Sequence, residues 1–236
     1  MNEIAVVTGG GSGVGQAVAH QLAGAGWRVA LVSRTEAALA ETISGSGQPA
    51  ERFLACPCDI AVPVQVAAMA DRVRERFGDA TVLVNCAGTN VARRQLDVLS
   101  PADWQTLIDV NLTGAFLCVH AFLPAMLRLN NGTIVNVSSD AGLVANATAG
   151  AAYAASKFGM AGLTQSINAE HRSNGVRACG VFPGEINTPL LDKRPAPPPE
   201  ERRLRMLQAD DVAACVLLAI TLPPRAVLEQ IVVRPR

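Results

Sequence analysis

The chain has 236 residues, with 20 Lys+Arg against 20 Asp+Glu, 50% hydrophobic residues, 4% aromatic residues and a single tyrosine. A charged fraction of 17% and a mean hydropathy of +0.26 exclude a disordered chain, and zero net charge excludes the broad basic field on which nucleic-acid binders rely. At about 100–200 residues per domain, this length fits one large domain with a substantial core, and residues 1–236 read as a single unit with no dividing linker.

The opening Met1-Asn2-Glu3 lacks the basic start of a signal peptide, and the longest uninterrupted apolar stretch, Val212 to Leu222, is shorter than the about 20 residues a membrane helix needs. A cytosolic protein without a membrane partner is expected. The six cysteines lie in apolar runs, and the Cys56-x-Cys58 spacing is not that of a zinc or redox site, so they read as reduced, structural thiols. His20, His120 and His171 are scattered over predicted helices without partner spacing, and no metal is expected.

In chain order, the apolar run Ile4–Thr8 predicts a strand that stops at a glycine cluster, and a helical pattern follows from Val14 to Ala25. Arg28–Val32 and Glu51–Cys56 predict the next strands, Pro63–Phe77 a helix, and Thr81–Asn85 a strand that ends at Ala87-Gly88. A long helix is expected from Pro101 to about Leu129, then strand Gly132–Val137, a helix from Ala151 to Ser173, strand Val176–Phe182, a helix from Ala209 to Ala219 and a last strand, Gln230–Val233. Strands alternating with helices imply parallel pairing, and near-continuous apolar strands imply a sheet covered on both faces. The fold class is therefore α/β, a Rossmann-type doubly wound sandwich around a seven-stranded parallel sheet. The proline-rich stretch Arg194–Pro199 and the charged residues after it read as a mobile surface loop, about 189–208.

Ligands of such sheets bind beyond the carboxyl ends of the strands. Thr8-Gly-Gly-Gly-Ser-Gly-Val-Gly15 joins the first strand to the first helix, where a helix N-terminus offers free N–H groups and a positive dipole end to a pyrophosphate. Gln16 and Ala17 stand where a P-loop needs Lys and Ser/Thr, so this loop is not a P-loop. The second strand ends at Ser33-Arg34, where an NAD site would place an acid. A hydroxyl and a guanidinium there suit a 2′-phosphate and favour NADP(H) over NAD(H). The alternative makes Arg34 a solvated loop residue and gives an NAD ribose to Glu36.

Ser138 and Ser139 follow the fifth predicted strand, and Tyr153 and Lys157 lie one helical turn apart on the helix after it. An ammonium beside a phenol favours the phenolate, and a strand-end hydroxyl together with that tyrosine can hold a carbonyl or alcohol oxygen while hydride moves at the adjacent carbon.

With these residues the sequence resembles the short-chain dehydrogenase/reductase family over almost its whole length. Thr8, Gly9, Gly13 and Gly15 match the family's glycine motif, with Ser12 and Val14 between them, and Asp59, followed by Ile60, matches the acid that holds the adenine. Asn85-Cys-Ala87-Gly88 is similar to the family's Asn-Asn-Ala-Gly segment, with Cys86 in place of the second Asn, and Pro183-Gly184-Glu-Ile186-Asn-Thr188 to the segment that seats the nicotinamide. The resemblance implies a tetrad in which Tyr153 is the acid or base, Ser139 orients the substrate oxygen, Lys157 binds the nicotinamide ribose and lowers the Tyr153 pKa, and Asn111 holds a relay water through its main chain. Ser138 is the rival for the serine role; Ser139 is preferred because it stands three residues before Gly142. The Ser139–Tyr153 spacing is one residue longer than the family's usual one, which places an insertion within Leu143–Ala152.

The implied activity is an NADP(H)-dependent oxidoreductase acting on a small ketone or secondary alcohol; an NAD(H)-preferring relative or a non-catalytic dinucleotide-binding regulator are the alternatives. The expected substrate walls are Asp140, Leu143 to Asn146, Glu185, Leu190, Leu191 and the loop to Met206, an aliphatic surface for a moderately apolar substrate, with Asp140 and Glu185 opposing an anionic head. Arg93, Arg94, Arg202, Arg203 and Arg205 read as solvated faces, with an acidic carrier protein as the other reading. The chain end lacks the Asp-Gly-Gly of tetrameric relatives, and a homodimer or homotetramer is expected.

Overall fold

The structure is a computed structural model that describes residues 3–236. Seven strands form one parallel sheet: β1 (Ile4–Thr8), β2 (Arg28–Ser33), β3 (Phe53–Pro57), β4 (Val82–Asn85), β5 (Gly132–Val137), β6 (Val176–Pro183) and β7 (Gln230–Val233). Between them run α1 (Gly13–Gly24), α2 (Glu36–Gly45), α3 (Pro63–Phe77), α4 (Pro101–Ile108), α5 (Gly114–Leu129), α6 (Ala151–His171), α7 (Glu200–Arg203) and α8 (Ala209–Thr221). The strand order is β3-β2-β1-β4-β5-β6-β7, so the winding reverses between β1 and β4. That is where a doubly wound sheet opens a crevice for ligands.

The apolar strands are uninterrupted because both faces of the sheet are covered. In β1, Ala5 and Val7 pack with Leu22 of α1 and Val216 of α8, whereas Ile4 and Val6 pack with Val73 of α3 and Met126 of α5. The alternation repeats in β5, where Ile134 joins the second cluster and Val135 and Val137 the first. Each fully buried Leu or Ile contributes about 1.5–3 kcal/mol relative to exposure. Cys56, Cys58 and Cys118 fill the second cluster and Cys179 the first, all as free thiols.

Three departures from the expected elements have physical causes. Helix α2 gives little sequence signal, since only Leu39 and Thr42 are buried along it. The expected long helix runs from Pro101 to Leu129 but contains one widened turn, a π-helix at Asp109–Thr113 in which the Gly114 N–H reaches the Asp109 carbonyl. These 29 residues are also long and apolar enough to cross a bilayer, a length that the search for an uninterrupted apolar run overlooked because Asp109, Asn111 and His120 break it up. Leu107, Cys118, Val119, Phe122 and Met126 are buried in the folded chain, so this is a core helix of the fold.

Segment 189–208 is partly ordered by its own turns, a 3-10 helix at Pro189–Lys193 and the short α7. Met206 and Leu207 are buried, and Leu207 N–H donates to the Glu185 carbonyl at 3.1 Å, which closes the segment back onto the end of β6.

Candidate active site

At the carboxyl ends of β1, β4 and β5 lies a groove of about 160 Å³ lined by Gly9, Ser12, Gly13, Val14, Gly15, Cys86, Ala87, Gly88, Tyr153, Lys157, Ile186 and Thr188, among others. Gly13 has a φ of +54°, and a β-carbon there would lie 3.2 Å from Thr188 Cγ2, so a side chain would both strain the turn and close the groove. At Gly15 a β-carbon would strike the Gly9 carbonyl, which is why the first turn of α1 can fold so tightly onto the loop. The N-terminus of α1 has no side-chain cap from Ser12 and no acid in its first turn. Its N–H groups and positive dipole end are thus left for an anion from outside the helix. The Ala87 N–H donates to Thr8 Oγ1 at 3.1 Å and ties the two loops of the crevice together.

The remaining sequence-predicted cofactor residues lie around this groove. Ser33 Oγ would be 3.1 Å from a β-carbon on Gly11, so it faces the glycine loop, while its hydroxyl donates to the Thr35 carbonyl at 3.2 Å. Arg34 is exposed, and no ion pair involves it among the described residues. Asp59 turns its carboxylate onto the Ala61 N–H at 3.0 Å, and the Ile60 side chain is buried in the core, leaving only its backbone for a ligand. Asn85 is fully buried and donates to Asn136 Oδ1 at 2.9 Å; it braces the ends of β4 and β5 and does not line the groove. Pro183 and Gly184 line the adjoining cavity.

That cavity has a volume of about 310 Å³ and opens beside the groove, with Tyr153, Ser138, Ile186, Thr188 and Leu190 lining both. Helix α6 presents Tyr153 and Lys157 one turn apart, with the ammonium 5.6 Å from the phenol ring centre. The Ser139 hydroxyl lies beside the Tyr153 phenol; it donates to Asp140 Oδ1 at 3.2 Å and accepts from the Ala141 N–H at 3.2 Å. The rival Ser138 is buried and donates to the Lys157 carbonyl at 3.1 Å. Lys157 is 3% exposed and donates to the Val137 carbonyl at 3.0 Å. Burial pulls its pKa down to about 8.

Burial also pushes the Tyr153 pKa up, with the Asp140 charge and against the neighbouring Ser139 hydroxyl and the charges of Arg94 and Arg194. Asn111 sits at the centre of the π turn, fully buried. Its Oδ1 accepts from the Thr89 N–H at 2.7 Å, and its Nδ2 donates to the Thr89 carbonyl at 3.0 Å and to Ser156 Oγ at 3.1 Å. A β-carbon on Gly88 would touch both Asn111 Oδ1, at 3.5 Å, and Lys157 Nζ, at 3.7 Å, so the two side chains converge there.

The cavity wall differs from the aliphatic one expected. Asn90, Arg94, Asn146, Thr148, Glu185 and Arg194 contribute to it, whereas Leu143, Val144, Ala145 and Met206 do not. Arg94 is not on a solvated face: it is 4% exposed. Nor does Glu185 stand free to oppose an anion, because Arg194 at 2.8 Å and Arg202 at 2.9 Å both pair with it. Burial raises its pKa, but the hydrogen bonds and charges of these two arginines outweigh burial and hold it below the usual carboxylate range. Arg194 belongs to the loop expected to wall the site, whereas Asn90, Arg94 and Thr148 were not anticipated as cavity residues, because no motif marks them and only the folding of separate loops brings them together.

The family model for short chain dehydrogenase matches residues 3–198. The short-chain reductase protein NovJ of Streptomyces niveus is 38% identical over 191 residues, which span 80% of this chain and 71% of that protein. D-beta-hydroxybutyrate dehydrogenase of Rhizobium meliloti is 33% identical over 220 residues, spanning 92% of this chain and 83% of that protein. Among solved structures, a metagenomic short-chain oxidoreductase in complex with NADP aligns with a TM-score of 0.84 at 33% identity, covering 100% of this chain and 97% of the other. The glycine loop, the Ser–Tyr–Lys corner and these likenesses agree, and the chain belongs to the short-chain dehydrogenase/reductase family of NAD(P)-dependent oxidoreductases.

Proposed function

We propose that the protein transfers hydride between NADP(H) and the carbonyl or alcohol carbon of a small molecule, with Tyr153 handling the proton. The observation that carries this reading is the position of Tyr153, which lines both the groove and the cavity, with Ser139 in the cavity wall beside it. Reaction at a carbon held between the two compartments requires the proton carrier at their junction.

The uncapped N-terminus of α1 suits a pyrophosphate, and the partner-free Arg34 beside Ser33 suits a 2′-phosphate. The similar NADP complex supports the same preference. When bound, the nicotinamide supplies or accepts the hydride. Tyr153, protonated at neutral pH, gives its proton to the carbonyl oxygen in reduction; in oxidation its phenolate, formed by loss of that proton to solvent, takes the hydroxyl proton. Ser139 holds that oxygen in line, and Lys157, fixed by the Val137 carbonyl, supplies N–H donors towards the groove. The Asn111 main chain, displaced by the π turn, holds the water that passes protons to Lys157. Trp104, Phe116 and Phe158 are large hydrophobics left exposed on α4, α5 and α6, which supports a homodimer or homotetramer closed over these helices.

The test follows NADPH absorbance with a panel of ketones for wild type and Tyr153→Phe. We expect turnover by the wild type and a loss of about 10²–10⁴-fold in the variant, with NADPH binding retained. Equal turnover by both proteins refutes the assignment.

A further inference from the structure

We infer that the alcohol or carbonyl compound taken by this site carries a carboxylate, and that Arg94 receives it; this rests on the oxidoreductase reading above and names its substrate class. Arg94 lies in the segment between β4 and α4, lines the cavity beside Tyr153 and is 4% exposed. Its Nε donates to the Val91 carbonyl at 2.7 Å, one Nη to the Thr148 carbonyl at 3.3 Å and the other to the Lys193 carbonyl at 2.7 Å. All three acceptors are neutral. Two of its five N–H groups, one on each terminal nitrogen, are left for a ligand, and no carboxylate pairs with Arg94 among the described residues.

A buried guanidinium without a counter-charge is unfavourable unless something in the site requires it. The other charges of the cavity do not neutralise it. Glu185 is already bound by Arg194 and Arg202. The Asp140 carboxylate accepts from Ser139 Oγ at 3.2 Å, at the end where the substrate oxygen reacts. Burial, and after it the charge of Arg194, itself paired with Glu185, depress the Arg94 pKa, a penalty that an incoming anion would relieve. A planar fork of two N–H groups fits a carboxylate, and Asn90, Asn146 and Thr148 are polar residues of the adjoining wall. A cavity of about 310 Å³ limits the compound to a small hydroxy acid or its oxo acid. In the oxidation direction Tyr153 first loses its own proton to solvent, the carbinol carbon gives hydride to NADP⁺ and its hydroxyl proton goes to the Tyr153 phenolate, yielding oxo acid, NADPH and H⁺, with the carboxylate unchanged.

The alternative for Arg94 is a strut that only ties its loop to the Thr148 and Lys193 loops. The two roles separate in a panel of four- to six-carbon hydroxy acids, their methyl esters and plain secondary alcohols, assayed with NADP⁺ for wild type, Arg94→Gln and Arg94→Lys. We expect the best acid to exceed its ester by about tenfold or more in kcat/KM for wild type, the ratio to fall towards one in Arg94→Gln through KM, and Arg94→Lys to keep most of it. A wild type that takes esters as readily as acids overturns the inference without recourse to any variant. So does an Arg94→Gln protein that loses acid and ester turnover in equal proportion. Turnover of plain alcohols with no preference for acids overturns the substrate class and leaves the oxidoreductase reading standing; no turnover of any compound overturns both.

Discussion

Lys157 is a buried cation in a structure whose other buried residues are almost all neutral, and replacing it separates what stabilises the fold from what serves the reaction. Its pKa falls from 10.5 to about 8 on burial. Between those values the unfolded chain binds more protons than the folded one, so wild-type stability gains from this group as pH rises. At pH 7 the penalty is about 3 kcal/mol, and at pH 9.5 about 1.5 kcal/mol remains. Lys157→Met removes the charge and keeps much of the volume, at the loss of about 1 kcal/mol for the bond to the Val137 carbonyl. The cofactor-free variant should therefore be more stable than wild type by about 2 kcal/mol at pH 7 and about equal to it at pH 9.5. Urea unfolding with reductant present, run on both proteins at both pH values, measures the difference while cancelling every other titrating group. A difference that does not change with pH, or a variant less stable at pH 7, would refute the reasoning.

Two further outcomes follow from the same structure. Arg34→Ala should weaken NADPH binding about tenfold or more, on a charge-assisted bond of about 1.5–3 kcal/mol, and leave NADH binding unchanged; titration with both nucleotides checks it, and equal wild-type affinity for the two would contradict it. Burial raises the thiols of Cys56 and Cys58 to about 11 and those of Cys86, Cys118 and Cys179 to about 12. Their stabilising share is complete below pH 9 and lost as pH climbs through those values, so stability should fall above pH 9 by up to about 1.4 kcal/mol per pH unit for each thiol. Cys118→Ala should flatten that fall by one thiol's share in unfolding curves collected from pH 8 to 10.5.

Local signals carried most of the fold. Helix α3 and strands β1, β5 and β7 end where Pro63, the glycines and the apolar runs say they should, because punctuation and periodicity act within a few residues. Helix α2 escaped notice because it buries so few side chains. The π turn escaped because it is a matter of one hydrogen bond shifted by one residue around Asn111. In the site, Tyr153 and Lys157 were legible from a helical spacing, and the phosphate loop from its glycines. Arg94 was not, since its partners at Thr148 and Lys193 are 54 and 99 residues away in sequence and two adjacent arginines look alike until one is buried.

The central claim is that hydride crosses from groove to cavity at the Tyr153 corner, and isotope transfer tests it most directly. NADPH carrying deuterium at C4 of the nicotinamide, on one face and then the other, is incubated with a reducible ketone or oxo acid, and the product is weighed by mass spectrometry. One deuterium is expected on the new carbinol carbon from one of the two faces only, with transfer slowed about 10²–10⁴-fold in Tyr153→Phe. Product without deuterium from either face, or equal transfer by the variant, would contradict it.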